Sequence, residues 1–554
     1  MDADVIVIGA GLAGLVASAE AAAAGRSVLL LDGEPVQSLG GQAHWSFGGL
    51  FMINTPEQHY MRVQDSVELA LADWRGAAGF DAPSDYWPGR WAEAYVHFAA
   101  GELRHWLHGL GVRWFPMVQW AERGGHTVPG HGNSVPRFHV TWGTGPALVH
   151  PFAEQVQHSE RVRILNRHKV SALHTDDRGV QVDGQILQPS SLPRGRRHST
   201  DAVDRFSFTA PTVIIAAGGI GGNLDLVRQN WPSTWGDPPE KMIIGVPDFV
   251  DGSMINVAEQ AGGRVINKDR MWHYPEGVIN HTPVWTEHGI RILPGPSPLW
   301  LDAKGDRLPD PLFPGFDSLG ALRHITSRGD AHSWFLLDMD TLGKEFALSG
   351  SEQNSDLTGK DLRQLSARVR PGPTPEVRAF LDRGVDFVQA TTVNELAAKM
   401  NGLTGDENIS AEALRTAIEL RDQQVLSGLG KDPQVTATVA ARRYLGDRLT
   451  RVATPHPYLD QRHPGEGVAG SGGPLIAVRL HVLTRKTLGG LETDLEGRVL
   501  TASGEALPGV YAAGEIAGFG GGGMHGYRSL EGTFLGGCLY SGRVAGRAVA
   551  QALG

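Results

Sequence analysis

The stretch Asp4-Val-Ile-Val-Ile-Gly9-Ala10-Gly11-Leu12-Ala13-Gly14 decides the fold of this chain. Its first half is an unbroken apolar run that ends in glycine, which is the pattern of a buried parallel strand. An alanine-rich helix follows over Leu15–Ala24 and stops at Gly25. A second apolar strand, Ser27–Leu31, ends at Asp32. Strand, glycines, helix, strand and acidic residue in this order predict a dinucleotide-binding βαβ unit.

Each glycine of the turn has its own physical task. Gly9 permits the tight turn, Gly11 lets the backbone approach a pyrophosphate, and Gly14 lets helix and strand pack closely. The free N–H groups and the dipole at the helix N-terminus then attract phosphate. Asp32 is placed to bind ribose hydroxyls, with Glu34 as the alternative. The competing interpretation is a tight turn of the same shape that binds no nucleotide.

The composition excludes several classes of protein. The 554 residues include 73 glycines without a Gly-X-Y period, against about 39 expected at ordinary usage. Cys538 is the single cysteine, so we expect no disulfide within the chain and predict no metal site. The net charge of −10 argues against nucleic-acid binding. No apolar run reaches the length of a membrane span, and Met1 leads straight into the first strand without a signal-peptide pattern. We therefore expect a cytoplasmic protein without an integral membrane segment.

A second glycine-rich loop follows soon after Asp32. It runs Ser38-Leu-Gly40-Gly41-Gln-Ala-His-Trp-Ser46-Phe-Gly48-Gly49. It resembles the GGxxxxSxGG loop of the fumarate reductase and 3-ketosteroid dehydrogenase flavoproteins, where the loop passes beside the ribityl chain and the isoalloxazine ring. The resemblance implies FAD as the cofactor. It also implies non-covalent attachment, because Gln42 stands where some respiratory relatives have a flavin-linking histidine.

The resemblance recurs in the same order along the chain. Its further blocks are Ala216-Ala217-Gly218-Gly219, Thr487–Asp494, Pro508–Glu515, and a terminal helix with Gly536-Gly537 and Gly542-Arg543. The chain is identified as a member of this superfamily, and it is most similar to 3-ketosteroid dehydrogenase-like FAD-binding dehydrogenases. The turn and the resemblance together imply FAD contacts from Gly9, Ala10, Gly11, Leu12, Ala13, Gly14, Asp32, Gly40, Gly41, Ser46, Gly48, Gly49, Val170, Ala216, Ala217, Gly218, Gly514, Glu515, Thr533 and Phe534.

The resemblance also implies a domain organisation within a mixed α/β fold. A discontinuous Rossmann-like FAD-binding domain takes residues 1–240 and 475–554, and a capping substrate domain takes 241–474. Within the first part, Arg161–Val182 predicts two alternating strands, and the polar stretch Gln188–Arg205 predicts an exposed loop insertion. Two amphipathic helices, Thr392–Met400 and one that starts at Ser410, are predicted in the second part.

An aromatic stripe precedes the middle of the chain. Trp91, Tyr95, Phe98, Trp106 and Leu110 recur at near-helical spacing. One interpretation is a packed face of a helix, and the other is a wall of an apolar substrate channel.

The family chemistry oxidises or reduces a C–C bond next to a carbonyl: a hydride passes between one of its carbons and flavin N5, and a further group handles the proton on the neighbouring carbon. This sequence departs from the fumarate reductase version of the site. Arg485-Lys486 stands where that version has a histidine pair, and Leu337–Gly343 lacks the arginine that would serve as the acid. The departure makes fumarate reduction doubtful.

The ketosteroid dehydrogenase version uses tyrosines and a backbone N–H at the carbonyl. By this resemblance the catalytic candidates are Tyr527, Tyr274, His273, Arg528 and Gly532, with His525 and Glu531 as polar neighbours. A helix dipole beside Tyr527 would favour its phenolate. The alternative for Tyr527 is a packing residue beside the flavin.

The sequence therefore predicts an FAD-dependent dehydrogenase or reductase that acts on a C–C bond of an apolar, 3-ketosteroid-like substrate. The alternatives are a fumarate reductase-like enoate reductase, an NAD(P)H-dependent reductase of the disulfide type, and a flavin-binding protein without turnover. The spacing in Ala216–Gly222 and the lack of a cysteine pair argue against the disulfide type. The electron acceptor, the direction of reaction and the oligomeric state stay open.

Overall fold

A six-stranded sheet carries the first glycine-rich turn. The computed structural model describes residues 1–124, 132–176, 178–449 and 452–554. In spatial order, the strands of this sheet are Arg498–Leu500, Ala506–Ala512, Thr212–Ile215, Val5–Ile8, Val28–Asp32 and Val162–Asn166. Neighbouring strands are parallel except the first pair, which is antiparallel. The predicted α/β fold with a Rossmann-like sheet is confirmed.

A three-stranded antiparallel sheet consists of His168–Asp176, Gly179–Leu187 and Ala202–Ala210. The prediction of two strands over Arg161–Val182 is wrong in its pairing. Val162–Asn166 joins the parallel sheet, because its residues align with Val28–Asp32, and the next two strands form the hairpin.

A larger sheet is built around the 13-residue strand Leu475–Thr487. The other strands of this sheet are Met242–Ile244, Met271–Ile279, Gly289–Pro294, Leu299–Leu301, Ser333–Asp338, Phe346–Leu348 and Phe387–Ala390. Smaller sheets combine Gly49–Phe51, Trp114–Gln119 and Phe138–Thr141, and Val265–Ile266 with Gly490–Leu491. The central strand begins at residue 475, directly after the boundary that the sequence predicts, and it pairs with strands from residues 241–474. The division into two domains stays a prediction.

Helix Leu12–Ala23 packs along the C-terminal helix Thr533–Ala552. The contact is unusually close at Gly546, where an added Cβ would lie 2.5 Å from the carbonyl oxygen of Ala17. A side chain of any size would separate the two helices, so glycine at this position fixes the distance of the last helix from the nucleotide-binding unit.

The predicted helices of the second part are confirmed and are longer than predicted. Thr392 caps Val393–Thr404 and Ser410 caps Ala411–Ser427, each through its side-chain oxygen. The other α-helices are Pro56–Tyr60, Val67–Ala78, Tyr86–Ala100, Glu102–Gly109, Thr144–His158, Leu224–Gln229, Ser253–Gln260, Ser318–Ser327, Met339–Glu345, Ser355–Thr358, Leu362–Leu365, Pro375–Arg383, Pro433–Ala441 and Leu445–Leu449. Among the described residues, no helix combines the length and apolarity needed to cross a bilayer.

The aromatic stripe lies in the core. Trp91 and Tyr95 on helix Tyr86–Ala100 have 0% exposure. The indole N–H of Trp91 donates to the carbonyl of Asp494 at 2.9 Å, so the ring ties this helix to the C-terminal part of the chain. These contacts favour the packed helix face over the channel wall.

The close helix contact gives a prediction about stability. Gly546→Ala forces the last helix away from Ala17, because the new Cβ would lie 2.5 Å from a backbone oxygen, and we expect a loss of about 1–3 kcal/mol. Urea unfolding measures this loss of stability. Gly402→Ala is the matched control, since Gly402 lies in helix Val393–Thr404 with no atom within 4 Å of its added Cβ. This control should stabilise by about 0.5–1 kcal/mol. Equal effects of the two substitutions would contradict the packing account.

Candidate active site

A cavity of about 530 Å³ opens at the carboxyl ends of the parallel strands. Ile8 and Asp32, which end two neighbouring strands, line it, as does Ala216 after a third strand. Ligands of open α/β sheets bind outside these strand ends. The volume lies within the range of small-molecule sites, about 300–1,000 Å³.

The first glycine turn forms one wall of the cavity, and its three glycines differ in what surrounds them. Gly9 has φ of +102°, and an added Cβ would lie 2.6 Å from the carbonyl oxygen of Ala216. An added Cβ on Gly14 would lie 1.9 Å from the carbonyl oxygen of Gly9. Gly11 differs, because its added Cβ would meet no atom within 4 Å, although Gly11 lines the cavity. Protein packing therefore requires Gly9 and Gly14, whereas Gly11 leaves space for a ligand.

Asp32 is held in place by the backbone. Its carboxylate accepts from the N–H of Ala10 at 2.5 Å and from the N–H of Glu34 at 2.7 Å. Burial raises the pKa of Asp32, while the two N–H groups and Arg167 oppose the rise. Burial also raises the pKa of Glu34 to about 7. Both acids line the cavity, so the structure retains both candidates for the ribose.

Most of the predicted cofactor residues line this one cavity. They are Gly9, Gly11, Leu12, Ala13, Asp32, Gly40, Gly41, Val170, Ala216, Ala217, Gly218, Gly514 and Glu515. The predicted residues that lie outside the lining are Ala10, Gly14, Ser46, Gly48, Gly49, Thr533 and Phe534.

Residues at the end of the second glycine loop hold the loop itself. Ser46 donates its hydroxyl proton to the carbonyl of Ala43 at 2.7 Å. Gly49 lies against Phe138, whose ring carbons would approach an added Cβ to 1.9 Å. These contacts explain the loop signature by local packing.

The loop after Leu187 forms another wall of the cavity. Gly195, Arg196, Arg197, His198, Ser199 and Thr200 line the cavity. The prediction of a purely exposed insertion is therefore wrong in two respects, since this stretch faces the cavity and its end belongs to strand Ala202–Ala210. The polar composition of this stretch suggested contact with solvent. In the structure, part of the stretch contacts the cavity instead, and the lining of the cavity has a polar surface of its own.

The sequence analysis missed two half-buried residues, Gln42, which lines the cavity, and Lys486, which contacts it. Gln42, from the second glycine loop, donates to the carboxylate of Glu515 and accepts from Lys486 Nζ at 2.5 Å. The same carboxylate accepts from the N–H of Thr487 at 2.9 Å. Burial lowers the pKa of Lys486, and the nearby Glu515 opposes the shift. The signal available for Lys486 was its place in the Arg485-Lys486 pair, where the resemblance fails.

Tyr527 lies away from this cavity. It is 41% exposed, and its ring stacks under the guanidinium of Arg270 at 4.1 Å. Its N–H donates to the carbonyl of Ala78 at 2.8 Å. Tyr527 therefore lies at the surface of the turn. Gly532 has φ of +93°, precedes the last helix and accepts at its carbonyl from the N–H of Phe51.

The other polar candidates have structural partners. His273 is buried, its Nδ1 accepts from the N–H of Arg485 at 3.0 Å, and burial lowers its pKa to about 3. His525 is buried, its Nε2 lies 2.9 Å from the hydroxyl of Thr533, and burial lowers its pKa to about 3. Both histidines are therefore neutral at physiological pH. Arg528 pairs with Asp317 at 2.7 Å.

Tyr274 and Glu531 come together, although 257 residues separate them. The Tyr274 hydroxyl donates to Glu531 Oε1 at 2.9 Å, and Arg291 Nη1 donates to the same oxygen at 2.7 Å. The Arg291 guanidinium also lies over the Tyr274 ring at 3.6 Å. Tyr274 is carried by strand Met271–Ile279, which pairs with the strand that carries Lys486. A phenol, a carboxylate and a guanidinium thus form a buried hydrogen-bonded group, and none of the three side chains lines the cavity.

Comparison with known proteins decides the family. The sequence matches the FAD binding domain family over residues 4–535. The chain belongs to this family. It is 56% identical over 553 residues to a KsdD-like steroid dehydrogenase of Mycobacterium tuberculosis, which covers 100% of this chain and 96% of that protein. It is 58% identical over 535 residues to a KsdD-like steroid dehydrogenase of Mycolicibacterium smegmatis, with 96% of each chain covered.

A solved structure shows the same fold. The 3-ketosteroid Δ1-dehydrogenase of Sterolibacterium denitrificans, in complex with 1,4-androstadiene-3,17-dione, superposes with a TM-score of 0.69 at 18% identity and covers 99% of each chain. FAD is thus the cofactor of this FAD-binding family member, and the chain is an FAD-dependent oxidoreductase.

The open face of Gly11 gives a prediction about FAD. Gly11→Ala should leave the unfolding free energy of the apoprotein within about 1 kcal/mol, since φ of −70° suits alanine and no atom meets its Cβ. FAD binding should weaken at least tenfold, about 1.4 kcal/mol, because the methyl group takes space in the cavity. Fluorescence titration of the apoprotein with FAD measures the affinity.

The matched control for Gly11 is Gly14→Ala in the same turn. Its Cβ would lie 1.9 Å from a backbone oxygen, so this variant should lose about 1–3 kcal/mol of stability even without FAD. FAD affinity unchanged in Gly11→Ala would overturn the assignment of this face to the cofactor.

Proposed function

We propose that this chain is an FAD-dependent dehydrogenase that oxidises a C–C bond next to the carbonyl of an apolar, 3-ketosteroid-like substrate. The observation that carries the proposal is the identity of 56–58%, over nearly the whole chain, with proteins named KsdD-like steroid dehydrogenases. Bound FAD supplies the hydride acceptor of such a reaction. The protein supplies cofactor binding, substrate orientation and proton handling.

In this proposal the cavity residues hold FAD. The N-terminus of helix Leu12–Ala23, beside Gly11, binds the pyrophosphate. Asp32 binds the ribose, and Gln42, Glu515 and Lys486 surround the flavin end of the cavity. The size of the cavity, the open face of Gly11 and the glycines on both sides of it support this assignment.

Tyr274 takes the role of the acid–base group, in place of Tyr527. Burial raises the pKa of Tyr274 well above its ordinary value, and the neighbouring Glu531 adds to the rise, so the hydroxyl keeps its proton at neutral pH. Once this proton has passed to Glu531, the Tyr274 oxygen can take the proton from the carbon next to the substrate carbonyl. Glu531 can take the phenolic proton, because the two groups are already hydrogen bonded at 2.9 Å.

We further propose that residues 241–474 supply the substrate side of the site and that the rest of the chain supplies the FAD side. Tyr274 and Arg291 come from the first of these segments, and Glu531 comes from the second. The substrate would then bind where the two segments meet.

The substrate class is tested by anaerobic mixing of the FAD-loaded enzyme with a panel of 3-ketosteroids. At least one member should reduce the flavin, seen as loss of its visible absorbance, and the matching steroid without the 3-keto group should not. If no ketosteroid changes the flavin spectrum, the steroid substrate is wrong.

The role of Tyr274 is tested by Tyr274→Phe. The rate of flavin reduction should fall by about 100-fold or more, because the variant loses the donor and the proton carrier. Tyr458→Phe is the matched control, a buried tyrosine whose hydroxyl donates to the carbonyl of Ser297 at 3.0 Å in another part of the chain. It should lose about 1 kcal/mol of stability and keep its rate. Equal rates in the two variants would remove Tyr274 from the chemistry.

A further inference from the structure

A buried group of carboxylates adjoins the Tyr274–Glu531 pair and has no part in the roles given above. Arg291 lies at its centre and meets three carboxylates with three nitrogens. Nη1 lies 2.7 Å from Glu531, Nη2 lies 3.6 Å from Glu122, and Nε lies 3.7 Å from Glu276. All four side chains are at most 9% exposed. One guanidinium thus serves three acids, of which only Glu531 touches Tyr274.

Ser318 connects the two outer carboxylates. Its hydroxyl donates to Glu276 at 2.7 Å, and its N–H donates to Glu122 at 3.1 Å. Arg291 Nη2 donates to the Ser318 hydroxyl at 3.2 Å. Among the described residues, Oε2 of Glu122, Oε2 of Glu276 and Nε of Arg291 have no hydrogen-bond partner. The outer carboxylates are therefore fixed in place but incompletely satisfied.

The charges of the group do not balance if every acid is ionised. Asp317 is paired with Arg528, which leaves three carboxylates on one guanidinium. A buried site of low dielectric does not hold three negative charges against one positive charge, so some of these carboxyl groups keep their protons. Burial raises the pKa of Glu122 to about 8. The neighbouring carboxylates add to this rise, whereas the positive charge of Arg291 opposes it. Burial raises the pKa of Glu276 as well. The charged and titratable groups that face this cluster are Tyr274, Glu531, Asp317, Arg528, Arg485 and Lys486.

We propose that Glu276 is a positioning residue that acts on the reaction through Arg291: it competes with Glu531 for the guanidinium and so leaves Glu531 able to take the proton of Tyr274. This inference rests on the proposed function. In the oxidation, a C–H bond next to the carbonyl breaks, and its electron pair stays on the substrate for the new double bond. The proton bonds to the Tyr274 oxygen while the proton of Tyr274 passes to Glu531 Oε1. Bound FAD would accept the hydride from the neighbouring carbon.

The competition has a direction that can be measured. Glu276→Gln removes one competitor, so Arg291 holds Glu531 more strongly and a proton binds there less readily. The pH at which flavin reduction reaches half its maximal rate should therefore fall, by on the order of one pH unit, and the maximal rate should fall with it. Glu122 keeps its proton up to about pH 8. Glu122→Gln should therefore resemble the wild type below that pH and differ above it.

The control is Glu345→Gln. Glu345 is a buried carboxylate whose pKa is raised by burial to about 7, and it accepts from Ser297 and from the N–H of Ala453, outside this group. Its pH profile should equal that of the wild type. A midpoint in Glu276→Gln that is unchanged or that moves to higher pH overturns the inference.

A second readout does not depend on turnover. Urea unfolding of Glu276→Gln, Glu531→Gln and the double variant measures whether the two carboxylates interact, since independent sites give additive effects. A non-additive result is expected, and additivity within error overturns the competition. If no ketosteroid reduces the flavin, the proposed function fails, whereas the unfolding cycle still decides whether Glu276 and Glu531 compete for Arg291.

Discussion

The close approach of backbone to backbone at the first turn is the constraint on which the rest of the structure depends. Gly9 brings its Cα against the carbonyl oxygen of Ala216, and Gly14 sits on the carbonyl of Gly9. Gly546 lets the last helix contact the first one at the same short range. Side chains at these positions would separate the strand ends, the first helix and the last helix. The cavity exists because these three elements meet without side chains between them.

The constraint also explains how distant parts of the chain reach one site. The last helix is held against the first, so the turn before it lies beside the strands that carry Tyr274 and Lys486. This arrangement brings Glu531 to Tyr274 and Glu515 to Gln42. The cavity is lined by glycine-rich turns together with charged side chains such as Arg167 and Lys169, whereas the group around Arg291 combines one guanidinium with several carboxylates.

The nucleotide-binding unit could be predicted from sequence because its signal is local. Strand, glycines, helix and Asp32 lie within 30 residues, and each residue type has a steric or electrostatic reason to be there. The group formed by Tyr274, Glu531 and Arg291 could be predicted only in part. Tyr274 and Glu531 were both candidates, but nothing in the sequence joined residues 257 positions apart. Arg291 and Glu122 carry no motif at all, since their meaning comes from tertiary contacts. Tyr527 was favoured by the family resemblance, but its ring is 41% exposed and lies under the guanidinium of Arg270.

The most direct test of the account is a crystal structure of the FAD-loaded enzyme with a bound 3-ketosteroid. The account predicts that the carbon next to the steroid carbonyl lies about 3–3.5 Å from the Tyr274 oxygen, with FAD along the glycine turn. A carbonyl bound at Tyr527, with Tyr274 still enclosed by Glu531 and Arg291 and away from the substrate, would contradict it.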